Sequence, residues 1–172
     1  MTDYQSLMAS IATKARAASR VLAAADDAAK AKALKAAAQA LRDQSADILA
    51  AKAIDVTAGT TAGLSPAMLD RLKLDEARVA AMAAAVEQVA VLADPVGQII
   101  DSSTQPNGLQ MARIRVPIGV LGIIYESRPN VTADAAALGL RSGNAVILRG
   151  GSEAVHSNRA IYAAMLAGIR AA

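Results

Sequence analysis

The sequence predicts an α/β chain in three successive parts: amphipathic helices, a β-hairpin, and the opening of a parallel sheet with helices between its strands. Three observations predict it. Apolar residues recur at helical spacing from Leu7 to Val89. Two short apolar runs then flank Gln105, Pro106, Asn107 and Gly108, a turn sequence. From Ile118 the pattern becomes strand, helix, strand, helix, the unit from which parallel sheets are built. The parts divide at 1–95, 96–117 and 118–172.

In the first part, Leu7, Ile11, Ala15, Ala18 and Leu22 share one helix face, with Lys14, Arg16 and Arg20 left to solvent. Asp26 or Asp27 can cap a second helix, in which Leu34, Leu41 and Ile48 recur every seven residues. The Thr- and Gly-rich stretch from Gly59 to Gly63 is a connection. Ser65 followed by Pro66 is an N-cap with proline at the first helical position. Asp75 can cap a further helix carrying Val79, Met82, Val86 and Val89 on one face, which ends before Asp94 and Pro95.

The hairpin runs from Gln98 to Ser103 and from Leu109 to Val116. Ile114 and Val116 alternate with Arg113 and Arg115, while Leu109 and Met111 have the opposite parity, so a bulge or twist is expected. The third part predicts a strand from Ile118 to Tyr125, a turn over Glu126–Asn130 and a helix through Leu140. A turn at Gly143 and Asn144, a strand from Ala145 to Leu148 and a helix opened by Gly150, Gly151 and Ser152 complete it. Two parallel strands alone do not fill a doubly wound sheet, so the domain is expected to be incomplete.

Composition excludes several classes. The 172 residues are 54% apolar, much of it alanine, with no Cys, Phe or Trp, which favours helices packed closely. Without cysteine there is no disulfide, thiolate metal site or cysteine nucleophile, and the one histidine, His156, forms no cluster, so no metal is expected. A net charge of +3 comes from scattered Lys and Arg, without the clustered basic face of a nucleic-acid binder. Met1 to Ser10 lacks the pattern of a secretory leader, and the alanine-rich stretches are too polar for a bilayer span. A cytoplasmic protein with no nucleic-acid or membrane partner is expected.

Two places carry chemical signals. Arg149, Gly150, Gly151 and Ser152 follow a buried strand and start a helix, where unpaired amides and the positive dipole end favour an anion. The same residues also make an ordinary strand-to-helix turn. The turn from Glu126 to Asn130 lies at the carboxyl end of the preceding strand, the usual place for ligand contacts in an open α/β sheet. Asn130 there can equally be a helix cap, and Glu126 can pair with Arg128 at the surface. Thr132 and Asp134 are read as first-turn helix residues with structural duty, and His156 as helix surface. Neither a G-x-G-x-x-G nor a Walker sequence is present.

The run from Gly119 to Asp134, with Tyr125, Glu126, Ser127, Arg128, Pro129 and Asn130 at its turn, and the run from Gly139 to Glu153 closely resemble γ-glutamyl phosphate reductase, of the aldehyde dehydrogenase superfamily. The resemblance extends over essentially the whole chain, less distinctively before Pro117. It implies an aldehyde-dehydrogenase-like fold of which this chain is an amino-terminal fragment: helices, part of the oligomerisation hairpin, and the first half of a Rossmann-like NADP-binding domain, with the catalytic domain absent.

The reaction it implies is NADPH-dependent reduction of γ-glutamyl phosphate to glutamate 5-semialdehyde with release of phosphate, in proline biosynthesis, through a thioester on a cysteine that this chain lacks. By itself the chain is expected to be inactive, and it is expected to form a dimer or larger homo-oligomer. The resemblance assigns Arg149 and Ser152 to the NADP 2′-phosphate, with Gly150 and Gly151 allowing close approach. Asn130 becomes the oxyanion donor, while Arg128, at the other possible register, would hold the substrate's phosphate or carboxylate. The rival from another class, a non-catalytic helical interaction module, has no need of an anion loop and a polar turn at two successive strand ends.

Overall fold

A computed structural model describes residues 3–126 and 128–172; Ser127, within the predicted turn, and Met1 and Thr2 lie outside the described residues. The helices are α1 (Tyr4–Ala24), α2 (Asp27–Asp43), α3 (Ser45–Thr61), α4 (Pro66–Arg71), α5 (Glu76–Ala90), α6 (Asn130–Arg141) and α7 (Val155–Ala171). The strands are β1 (Ile99–Thr104), β2 (Gln110–Ile114), β3 (Val120–Ile124) and β4 (Ala145–Arg149).

Local chemistry explains most boundaries. Asp26, Ser65 and Asp75 each accept a hydrogen bond from an amide in the first turn of α2, α4 and α5, as side-chain caps do. The predicted second helix does not continue through Ile48. It breaks at Gln44, which leaves helical geometry (φ −99°, ψ 19°), and α3 begins at Ser45 without a side-chain cap.

The core lies among helices from both ends of the chain. Leu34, Ala37 and Leu41 of α2, Ile48 of α3, Val79, Met82 and Val86 of α5, Ala133, Ala137 and Leu140 of α6, and Ile161, Ala164 and Met165 of α7 form one buried cluster. Small side chains set its geometry, since a Cβ on Gly168 would fall 2.4 Å from the Ala36 carbonyl oxygen. The α2 and α7 backbones thus touch, and dispersion between them substitutes for the missing aromatic bulk.

Charged residues pin the loop after α5 to this core. Lys30, buried in α2, pairs with Asp94. Arg141, also buried, binds the Leu92 carbonyl through Nε at 2.9 Å and the Asp27 carboxylate at 2.5 Å. Burial works to raise the Asp94 carboxyl. The Lys30 hydrogen bond, the Val96 amide and the nearby charges of Lys30 and Arg141 outweigh it, and the net shift is downward.

β1 and β2 form an antiparallel hairpin with a bulge between Ile99 and Asp101, and every residue of both strands is exposed. β3 and β4 run parallel, from Val120 opposite Ala145 to Ile124 opposite Arg149, in a separate two-stranded sheet. Their carboxyl ends therefore open side by side. Among the described residues, no helix is long and apolar enough to cross a membrane.

Candidate functional site at two adjacent strand ends

The parallel register places the two predicted site segments next to each other. The Tyr125 amide donates to the Arg149 carbonyl at 3.1 Å, so the turn after β3 and the loop after β4 start from one hydrogen-bonded rung. A cleft of about 530 Å³ lies against these ends, lined by Met68 and Arg71 of α4 and by Tyr125, Glu126, Arg149, Gly151 and Glu153. A second cleft, of about 440 Å³, lies between α4, α5 and the start of α6. Arg71 lines both, and its pair with Glu126 at 3.0 Å stands between them. Glu126 thus pairs with α4 and not with Arg128, because the turn carries it toward α4.

The loop after β4 is held from below. Gly151 leads into a 3-10 turn, Ser152–Ala154, and α7 begins only at Val155. The expected anion-binding helix start is already occupied by the protein itself. Asp55 of α3, 3% exposed, accepts from the His156 amide at 3.1 Å and from the Ser157 amide and hydroxyl at 2.7 and 2.6 Å. His156 Nδ1 also lies 2.7 Å from Asp55. His156 is therefore no unpartnered surface residue but part of a cap supplied across the fold. The dipole end of α7 is neutralised by this carboxylate, which leaves Arg149 and the Ser152 hydroxyl as the groups an anion would meet.

Gly150 is needed for packing. A Cβ there would lie 2.2 Å from Asn158 Nδ2 and 3.0 Å from the Tyr125 ring. The Tyr125 hydroxyl is 2.7 Å from Thr132 Oγ1, which donates to Asn158 Oδ1 at 3.1 Å. One polar chain thereby ties the end of β3, α6 and α7 together around Gly150. Thr132 is buried in this chain of bonds.

Asn130 is the first residue of α6 but caps nothing; its Nδ2 donates to Asp134 Oδ2 at 3.0 Å. Asp134 sits in the second turn rather than the first, half-buried, and burial raises its carboxyl against the lowering effect of Asn130. Arg128 and Arg149 are exposed at the two strand ends, and among the described residues neither forms an ion pair. The four predicted positions Arg128, Asn130, Arg149 and Ser152 are thus brought to one edge of the sheet.

Asp55 was missed, although the sequence carries its signal: it continues the seven-residue series Leu34, Leu41, Ile48 at a position where a core residue is expected. An acid at a core-facing position implies a buried partner.

No protein-family model matches the chain. It is 66% identical to a γ-glutamyl phosphate reductase of Sphingopyxis alaskensis and 63% identical to that of Zymomonas mobilis, over 97% and 95% of this chain. The crystal structure of γ-glutamyl phosphate reductase from Thermotoga maritima superposes with a TM-score of 0.90 at 46% identity, covering 93% of this chain and 39% of that one. The enzyme from Saccharomyces cerevisiae gives 0.89 at 33% identity, covering 94% and 41%. The chain spans about two fifths of the length of the curated relatives it matches, 39% and 38% for the first two. In sequence and in fold together the chain is thus similar to γ-glutamyl phosphate reductases over about two fifths of their length.

Proposed function

We propose that this chain supplies the cofactor-binding edge and part of the substrate cleft of an enzyme that reduces γ-glutamyl phosphate to glutamate 5-semialdehyde with NADPH. The observation that carries the reading is a pair of clefts that share Arg71, one against both parallel strand ends and the other against the start of α6, in a chain 54–66% identical to proteins named for that reaction.

An NADP fits the residues present. Arg149 is exposed, free of any ion pair among the described residues, and borders the 530 Å³ cleft with Gly151. A guanidinium there provides the planar fork that a 2′-phosphate accepts, and the Ser152 hydroxyl adds a further donor. Gly150 and Gly151 keep the loop close to the strand end. When bound, NADPH supplies the hydride; the chain's part is to hold its adenosine end.

Asn130 serves as the amide that donates to the acyl oxygen as negative charge develops, and Arg128 holds the phosphate of the substrate. The nucleophilic thiolate must come from elsewhere, because this chain has no cysteine. The exposed hairpin β1–β2, with Ile99, Met111 and Ile114 at half or more of full exposure, serves as an arm between subunits of a homo-oligomer. The compartment that fits a biosynthetic reductase of this kind is the cytoplasm.

The 172-residue chain mixed with NADPH and γ-glutamyl phosphate should show no loss of nicotinamide absorbance. In the longer protein that carries this segment, Arg149→Ala should lower kcat/KM for NADPH about ten- to a hundredfold and leave NADH much less affected, as expected from about 1.5–3 kcal/mol for charge-assisted bonds. An equal fall for both cofactors would mean that Arg149 supports the loop rather than the 2′-phosphate.

A further inference from the structure

The 440 Å³ cleft carries more charge than the preceding reading uses. It is lined by Arg71, Lys73, Arg78 and Arg128, with Asp70 and Asp134. Part of that charge is internally matched, Arg71 with Glu126 at 3.0 Å and Lys73 with Asp70 at 2.9 Å. Among the described residues, Arg78 and Arg128 form no ion pair, although Arg78 lies near enough to Asp70 to help Lys73 lower its carboxyl, and the Arg78 side chain donates to the Lys73 carbonyl at 2.6 Å. Among the described residues Asp134 pairs with no cation, and Asn130 Nδ2 donates to it. Two guanidiniums and one carboxylate are thus left facing a single opening. A simple dianion would be served by the arginines but repelled by Asp134, whereas a ligand bearing both charges is complementary to all three groups.

We infer that this cleft recognises the amino-acid end of a zwitterionic acyl phosphate, with Asp134 taking the α-ammonium, Arg78 the α-carboxylate and Arg128 the phosphate. The inference rests on the reading of the chain as part of a γ-glutamyl phosphate reductase, and it assigns the groups that make the reaction specific for an amino acid.

The hydrogen bond between these two residues adds a consequence for turnover. Asp134 holds the Asn130 amide that the reaction needs at the acyl oxygen. An ammonium arriving at Asp134 Oδ2 displaces that amide and frees Nδ2 to donate to the substrate. A substrate without the ammonium leaves Asn130 engaged. Asp134 is therefore a specificity-determining residue whose ligand also releases the oxyanion donor. Its desolvation by burial strengthens both the attraction to an ammonium and the cost of leaving the carboxylate unmatched.

The test compares γ-glutamyl phosphate with glutaryl phosphate, which keeps the carboxylate and lacks the ammonium, in the longer protein carrying this segment. Asp134→Asn should lower kcat/KM for γ-glutamyl phosphate about ten- to a hundredfold and should raise that for glutaryl phosphate, because Asn130 is no longer held by a carboxylate, while Arg78→Ala should lower both. An equal fall for the two substrates with Asp134→Asn would overturn the inference while leaving the reductase reading intact. If the unaltered protein oxidised NADPH with neither substrate, the reductase reading would fall instead. The inference would then be decided on the 172-residue chain by amide NMR titration with L-glutamate and with glutarate. Tighter binding of L-glutamate, with shifts centred on Asp134 and Arg78, supports it; equal binding, or none, overturns it.

Discussion

Two helices of this chain follow parallel strands, and their amino-terminal ends are built in opposite ways. At α7 the first amides are covered by Asp55, a buried carboxylate that arrives from α3, across the fold. At α6, among the described residues, no side chain caps the helix, and Asn130, Asp134 and the neighbouring Arg128 line a cleft in which Arg128 and Asp134 form no ion pair. The α7 end uses its polarity to hold the fold together. On the proposed reading, the α6 end, with Arg149 at the adjacent strand terminus, keeps its polarity for a ligand. Among the described residues the same division extends further: the buried ions Lys30 and Arg141 have carboxylate partners, whereas Arg128 and Arg149 at the strand ends do not.

The comparison is broken most severely by removing the α7 cap. Asp55→Ala would leave the His156 amide and the buried Ser157 amide and hydroxyl without their acceptor, and should destabilise the chain by about 3 kcal/mol in urea unfolding. A loss under about 1 kcal/mol would show that α7 is held mainly by its apolar face against α2.

A smaller effect is expected from acid. Asp94 is held below its unfolded value by Lys30 and the Val96 amide, so its pairing stabilises the fold above the unfolded carboxylate pKa and is lost as pH falls through the depressed folded one. Asp134 is shifted the opposite way. Burial raises its carboxyl, so its contribution is fully present below the unfolded value and is lost as pH rises through the folded one. Urea midpoints followed down from neutral pH should therefore fall in Asp94→Asn less than in the unaltered chain. Asp134→Asn should gain stability at neutral pH, and a loss there would contradict the assignment of Asp134 as an unmatched charge.

How much of this was legible in the sequence depends on the range over which each signal acts. The caps at Ser65 and Asp75, the hairpin turn and the strand–helix alternation from Ile118 rest on neighbours within a few residues, and they stand in the structure where the local pattern puts them; the bulge falls instead in β1, between Ile99 and Asp101, opposite the part of β2 where the parity changes. The positions of the segments Arg128–Asn130 and Arg149–Ser152 were legible for the same reason, since each follows a strand end. Pairings across the fold were not. Glu126 meets Arg71 because α4 packs beside the turn, and Asp55 meets His156 and Ser157 because α3 lies under the loop. The break at Gln44 was hidden by a seven-residue repeat that runs straight through it, from Leu41 to Ile48 and on to Asp55.

The Arg71–Glu126 pair between the two clefts is expected to matter least to the fold. Its side chains are 48% and 76% exposed, and an exposed pair of this kind contributes about 0–1 kcal/mol. Glu126→Gln should change the unfolding free energy by less than about 0.5 kcal/mol. A larger loss would make the pair a structural strut.

The central claim is that the unmatched charges at the strand ends serve a ligand and not the fold, and the most direct measurement is urea unfolding of the 172-residue chain carrying Arg128→Ala, Asp134→Asn and Arg149→Ala together. The unfolding free energy at neutral pH should stay within about 0.5 kcal/mol of the unaltered chain, or rise, because ligand-directed groups are commonly held at some expense to stability. A loss of about 1.5 kcal/mol or more would show that these three side chains hold the structure together, and would contradict the account.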